Sequence, residues 1–125
     1  MDSHLIDIDD LEPIHVWGEV VRARALHGER ATVAVVELAP DAVVPEHRHD
    51  NEQIGLVLRG QMTFTVDGET RTLGVGGTWR IPSGRPHDAV AGPDGALVID
   101  VFAPARRDWD ALPHDAPRPV DWPAG

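Results

Sequence analysis

Short runs of β-forming residues, separated by turns rich in glycine and proline, follow one another through most of this chain. Apolar residues rarely recur at helical spacing, whereas alternation over four to eight residues is common. Strands are predicted over residues 31–38, 53–58, 62–66, 69–73, 76–81, 86–91 and 96–102. Asp67-Gly68 predicts a tight hairpin turn. So many short strands at close spacing indicate an all-β sandwich or barrel.

The chain divides by composition into three parts. We expect an N-terminal segment over residues 1–28, a barrel over 29–104 and a proline-rich C-terminal tail over 105–125. The prolines leave the tail little regular structure beyond a helical turn near residues 107–112. Trp109 and Trp122 predict that part of it docks on the barrel, because a free tail gains nothing from tryptophan.

Charge and composition exclude several classes of protein. The net charge is −10, and all eleven basic residues are arginine, which argues against nucleic acid or an anionic membrane as a partner. No apolar run approaches membrane-spanning length, and the acidic N-terminus does not resemble a signal peptide. The chain has no cysteine, which excludes thiolate metal sites and cysteine nucleophiles. We expect a cytoplasmic protein with a small-molecule substrate.

Three histidines and one glutamine have the spacing of a metal site. His47, His49 and Gln53 share one parity, so an extended strand would project them to one side, and a neighbouring strand can bring His87 opposite. Three imidazoles and an amide oxygen suit a divalent transition metal, and Zn, Ni, Mn, Fe or Co would all be accepted. A single histidine on a strand is usually only a polar side chain, so the prediction rests on the whole spacing. The other histidines are expected at the surface: His4, His15, His27 and His114.

Two segments around these residues resemble the motifs of the cupin superfamily. The first motif, G-x5-H-x-H-x3,4-E-x6-G, is matched from His47 through Gly60, with Asp41 in place of the first glycine and Gln53 in place of the usual glutamate. The second, G-x5-P-x-G-x2-H-x3-N, is matched from Gly76 to His87, with Ala91 in place of the final asparagine.

The resemblance covers roughly residues 31–104, with the short link between motifs of compact bacterial members. It implies a double-stranded β-helix (a jelly-roll barrel), with a divalent metal held by His47, His49, Gln53 and His87. It also implies a homodimer, and residues 14–20, which include Trp17, are a candidate for a strand exchanged between subunits.

The three-histidine, one-glutamine set resembles a narrower group of cupins, which open the ring of unsaturated uronates in pectin and alginate breakdown. Their closing stretch carries an Asp, a Phe two residues later and an Arg four further on. These positions correspond here to Asp100, Phe102 and Arg106, although Arg107, Arg118 and Arg80 offer the same charge. The strand alternation places Asp100 and Phe102 on one face.

The function favoured by these residues is a metal-dependent isomerase or lyase. It would act by Lewis-acid-assisted proton transfer on a small oxygenated acid, such as an unsaturated uronate. Asp100 would move the proton, Phe102 would shape the pocket and an arginine would hold the carboxylate of the substrate. Glutamine in place of glutamate predicts weaker metal binding but a stronger Lewis acid. The alternatives are a cupin-type aromatic polyketide cyclase or dioxygenase, and a non-catalytic small-molecule-binding cupin.

Overall fold

A computed structural model describes residues 3–123, and strands dominate this part of the chain. The strands that it contains are β1 (Ile14–Trp17), β2 (Val21–His27), β3 (Thr32–Leu38), β4 (Val43–His47), β5 (Glu52–Val66), β6 (Glu69–Leu73), β7 (Thr78–Ile81) and β8 (His87–Ala103). Two short 3-10 helices cover Ile8–Asp10 and Arg107–Ala111. No helix within residues 3–123 has the length and apolarity needed to cross a membrane.

The two long strands, β5 and β8, organise the barrel. The first part of β8 pairs with β4 and with the end of β5, whereas its second part pairs with β3 and with the start of β5. The strand order is β1-β2-β3-β8-β5-β6, with β4 on β8 and β7 on β5, and every pairing is antiparallel. This confirms the all-β jelly-roll barrel.

One strand of the structure was predicted as two. Residues 92–95 separate the predicted strands 86–91 and 96–102. They lie within β8 (His87–Ala103), but none of them has a cross-strand partner, and the register with β5 shifts between Met62↔Ala91 and Gly60↔Ala96. Gly95 has φ of +76° and Gly60 has φ of +80°, and a Cβ on Gly60 would lie 2.1 Å from the Gly95 carbonyl oxygen. The close approach of these two glycines therefore allows β8 to bulge and bend at this break in the pairing.

The inward face of the barrel combines a few large side chains with many small ones. Met62 and Phe64 are buried, as their alternation predicted, and Trp79 rather than its neighbour Arg80 points inward. Several inward positions hold alanine, all at most 3% exposed: Ala23, Ala34, Ala89, Ala91 and Ala96. Because these small side chains do not fill the interior, the barrel retains a cavity.

The tail docks on the outside of the barrel. Val120 packs against Val35 and Leu97 in a small apolar cluster, and the fully buried Arg24 donates from Nη2 to the Arg118 carbonyl oxygen at 2.8 Å. Trp109 is 5% exposed, while Trp122 is 42% exposed. The tail is thus held by the burial of Val120 and by hydrogen bonds that the Arg24 side chain of the barrel donates to the tail backbone.

The N-terminal segment extends the sheet of its own chain. β1 pairs with β2, and β2 pairs along its whole length with β3. The division of the chain at residues 28 and 104, and the exchange of residues 14–20 between subunits, stay predictions.

Candidate metal centre

Three imidazole rings converge at one end of the barrel. His47 ends β4, His87 begins β8, and the two residues are cross-strand partners. His49 lies in the turn after β4 and completes the group. One ring nitrogen from each histidine can be chosen so that all three lie within 4.8 Å of one another. Three ring nitrogens that converge in this way are a candidate set of metal ligands.

Each ring is oriented through its Nδ1 atom, which donates to a backbone carbonyl oxygen two residues away. The acceptors are Pro45 for His47 at 2.8 Å, Asn51 for His49 at 2.9 Å and Arg85 for His87 at 2.9 Å. This fixes the proton on Nδ1, so the lone pair of each Nε2 is directed away from the backbone. A metal-binding histidine is commonly oriented in this way.

Two features of these residues are those that a bound cation would explain. Within the described chain, Nε2 of His87 is buried without a hydrogen-bond partner. Nε2 of His49 lies 3.1 Å from Oε1 of Gln53. Because the proton of this ring is on Nδ1, Nε2 carries a lone pair, and two acceptor atoms face each other with no hydrogen between them. A divalent ion would give all of these atoms a partner, and a set of three nitrogens and one oxygen suits a transition metal.

The local environment keeps the imidazoles of His49 and His87 neutral. Burial is the main cause that lowers the pKa of His87 to about 4, and the neighbouring His47, His49 and Arg106 act in the same direction. Burial and Arg106 also lower the pKa of His49. Both rings are therefore unprotonated at Nε2 at neutral pH, as metal ligation requires.

Gln53 links this group to a buried carboxyl. Its Nε2 donates to Oδ1 of Asp100 at 2.9 Å, which turns Oε1 toward His49. Trp79 Nε1 donates to the same oxygen at 2.8 Å. Gly55, the cross-strand partner of Asp100, makes room for the indole, because a Cβ there would lie 2.1 Å from the Trp79 ring.

Asp100 titrates near neutral pH. Burial is the largest influence and raises the pKa of this carboxyl to about 6, against the hydrogen bonds from Gln53 and Trp79 and the charge of Arg106. A carboxyl with this pKa can both accept and release a proton at physiological pH.

Arg106 closes one side of the site. Its guanidinium lies 4.8 Å from the centre of the Phe102 ring and 4.6 Å from the Trp109 ring. Its Nε and Nη2 each donate to Asp108 at 3.1 Å. Phe102 in turn packs edge-on against His49, with ring centres 5.8 Å apart. The arginine is therefore held by two rings and one carboxylate beside the histidines.

A single cavity of about 260 Å³ connects these residues. It is lined by all seven predicted site residues: His47, His49, Gln53, His87, Asp100, Phe102 and Arg106. Arg107 and Arg80 are exposed, and Arg118 lies beside Glu37 on the outer surface, so Arg106 is the arginine of this site.

Sequence reasoning missed several residues of the site. From the sequence, either Trp79 or Arg80 should point inward, and nothing shows which of the two does. The contact of Trp79 with Asp100 depends on Gly55 on another strand. Asp108 and Trp109 gave no signal beyond their closeness to Arg106 along the chain. His15 and His27 were expected at the surface, but their side chains are 13% and 10% exposed because they pair with Asp115 and Asp110.

Comparisons with known proteins agree with this architecture. The pectin degradation protein KdgF of Dickeya dadantii is 28% identical over 104 residues, covering 82% of this chain and 94% of that protein. The dimethylsulfoniopropionate lyase DddW of Ruegeria pomeroyi is 30% identical over 94 residues, covering 71% of this chain and 62% of that protein. The structure of KdgF from a Halomonas species superposes with a TM-score of 0.75 at 29% identity, covering 86% of this chain and 98% of that one.

The cupin domain family model matches residues 34–102, which span most of the barrel and contain all but one of the seven site residues. The match covers more than half of the chain and includes the three converging histidines. The chain therefore belongs to the cupin family.

Proposed function

We propose that this protein is a metal-dependent isomerase or lyase that acts by proton transfer on a small oxygenated acid, such as an unsaturated uronate. One observation carries the proposal. Asp100, a buried carboxyl with a pKa near neutrality, is hydrogen-bonded to the fourth candidate metal ligand, Gln53, within the cavity that holds the three histidines.

His47, His49, His87 and Gln53 would hold the metal. When bound, a divalent ion of Zn, Ni, Mn, Fe or Co would supply a Lewis acid that polarises a substrate carbonyl or hydroxyl oxygen. A neutral glutamine leaves the full charge of the ion in place, which favours this chemistry.

Asp100 would transfer the proton. Both of its hydrogen bonds fall on Oδ1, and among the described contacts none falls on Oδ2. Since Asp100 lines the cavity, Oδ2 is the oxygen that can meet a substrate proton. Trp79 and Gln53 orient the carboxyl for this step.

Phe102 and Arg106 would position the substrate. Phe102 forms an apolar wall against His49, and Arg106 would hold the substrate carboxylate with the donors that Asp108 leaves free. Stacking between Phe102 and Trp109 limits the movement of the guanidinium.

The relatives support this choice of chemistry. The KdgF protein of Dickeya is named for pectin degradation, and uronates are the acids of pectin. The relative from Ruegeria is named as a lyase of a small carboxylate. We further propose a cytoplasmic homodimer, with the segment around Trp17 at the subunit contact.

The test is incubation of the metal-loaded protein with an unsaturated uronate, followed by NMR of the ring-form signals. We expect these signals to decay faster than in buffer, and Asp100→Asn to slow the decay by about a hundredfold. The exposed Asp94→Asn is a matched control and should keep the full rate. A rate equal to buffer would reject uronate ring opening and favour the polyketide cyclase, dioxygenase or non-catalytic binding alternatives.

A further inference from the structure

We infer that the substrate carries an apolar substituent beside its oxygenated end, and that the interior wall of the barrel cavity is the subsite for this group. The inference rests on the proposed function, because it assumes that a small acid is held at the metal centre. Among the small oxygenated acids of the proposed function, it favours oxo- or hydroxyacids with a short alkyl group over polyhydroxylated acids such as a uronate, which the same site would bind more weakly.

The cavity has two chemically different halves. The polar groups adjoin one another: the centres of the three imidazole rings lie 4.2 to 5.6 Å apart, His49 contacts Gln53, and Gln53 contacts Asp100. The other half is lined by apolar side chains, each at most 8% exposed: Val21, Val36, Leu38, Met62, Phe64 and Val98. Asp88 also borders the cavity. It lies between the inward-facing His87 and Ala89 on β8, and because neighbouring side chains of a strand point to opposite faces, its carboxylate is directed outward.

The cavity as a whole has room for more than the oxygenated end of a small acid. Ala89 lines the cavity as the cross-strand partner of Phe64, where a larger side chain would fill the space. The cavity has a volume of about 260 Å³. An apolar cavity of about 150 Å³ already accommodates benzene. The whole cavity therefore exceeds the space that benzene needs, which leaves room for a short branched alkyl chain next to an acid group at the metal end.

The chemistry of this wall discriminates between classes of acid. A hydroxyl group placed against it would lose its water without gaining a partner, which lowers affinity by roughly tenfold per group. Each buried methylene group raises affinity by about fourfold. A polyhydroxylated sugar acid is then the less favoured member of the class, and an acid with a compact apolar end is the favoured one.

The inference is tested by binding to the zinc-loaded protein, which is diamagnetic and suits NMR. Pyruvate, 4-methyl-2-oxopentanoate and galacturonate form the series, and isothermal titration gives each Kd. We expect 4-methyl-2-oxopentanoate to bind at least tenfold more tightly than either of the others. Nuclear Overhauser contacts should join its methyl groups to the Met62 methyl group.

A matched pair of variants locates the subsite. Val44 lines the cavity, whereas Val43 is 56% exposed on the outer face of the same strand. Val44→Phe should remove the preference for the branched acid and keep pyruvate binding, while Val43→Phe should change neither. If Val44→Phe does not fold, the Overhauser contacts in the unaltered protein decide the question.

Equal or weaker binding of 4-methyl-2-oxopentanoate than of pyruvate would overturn the inference and leave the proposed function standing. Absence of contacts to Met62 from the bound acid would overturn it as well. If none of the three acids binds to the zinc-loaded protein, the proposed function itself fails.

Discussion

The side-chain amide of Gln53 donates to Oδ1 of Asp100 at 2.9 Å and presents its oxygen to His49 at 3.1 Å. One amide therefore contacts both the candidate base and a candidate metal ligand. A glutamate at this position has no N–H to donate and would place a second carboxylate beside Asp100. The pairing gives a physical reason for glutamine in a position where cupins usually have glutamate.

Gln53→Glu should tighten metal binding and slow turnover. A carboxylate adds negative charge at the metal, but two carboxyl groups at hydrogen-bond distance share one proton, which impairs Asp100 as a base. We expect zinc affinity to rise by about tenfold in competition with a chelator. The exposed Glu52→Gln serves as the control. Unchanged affinity together with full activity would count against Gln53 as a ligand.

Asp100 should make the metal-free protein less stable as pH rises. Its pKa is about 6 when folded. The pKa of an aspartate in the unfolded chain is about 3.9, so as pH rises from 4 to 6 this carboxyl ionises in the unfolded chain before it ionises in the folded protein. The free energy of unfolding therefore falls over this range, by up to about 3 kcal/mol above pH 6. His87, whose pKa is lowered to about 4, acts in the opposite direction.

Comparing Asp100→Asn with the wild-type protein separates these two effects, since His87 is common to both. Urea unfolding at pH 4.5 and pH 7 should show the variant gaining stability relative to wild type at the higher pH. If the difference in unfolding free energy between Asp100→Asn and wild type were the same at both pH values, the pKa of Asp100 would not be raised in the folded protein.

Trp79→Phe should raise the pKa of Asp100 further, because the indole N–H stabilises the ionised carboxylate. Carbon-13 NMR of the Asp100 carboxyl measures this shift directly. Trp17→Phe is the matched control, because it replaces another tryptophan of the site, which packs against His47 with ring centres 5.1 Å apart and not against Asp100. A pKa that stays the same or falls in Trp79→Phe would contradict the assignment.

The His15–Asp115 pair should stabilise the protein most at mildly acidic pH. Both nitrogens of His15 face oxygen acceptors, Gly18 at 3.2 Å and Asp115 at 2.8 Å, so the doubly protonated ring fits best. The hydrogen bond to Asp115 is the main cause that raises the pKa of His15.

A raised histidine pKa gives stability that is fully present below the unfolded pKa of about 6.5 and is lost as pH rises through the folded pKa. Asp115→Asn should therefore lower the Tm at pH 6 by more than at pH 9. An equal loss at both pH values would show that the pair acts only as a neutral contact.

Much of the fold and of the ligand set follows from local sequence. Alternation, turn glycines and the parity of His47, His49 and Gln53 are short-range properties, and the structure places these residues together with His87 in one cavity. The burial of Met62 and Phe64 follows in the same way.

Long-range contacts are the part that the sequence does not show. The space for Trp79 depends on Gly55 of another strand, and the bulge in β8 depends on the close approach of Gly60 and Gly95. The partial burial of His15 requires Asp115, one hundred residues away in the chain. None of these pairings leaves a periodic signal.

Metal content tests the central claim most directly. The purified protein and His47→Ala/His49→Ala are each loaded with zinc, dialysed and assayed by elemental analysis. His4→Ala/His114→Ala removes the same number of histidines from outside the site and controls for nonspecific binding. We predict close to one zinc per chain in the wild-type protein and in this control, and almost none in His47→Ala/His49→Ala. Full zinc stoichiometry in His47→Ala/His49→Ala would contradict the metal centre.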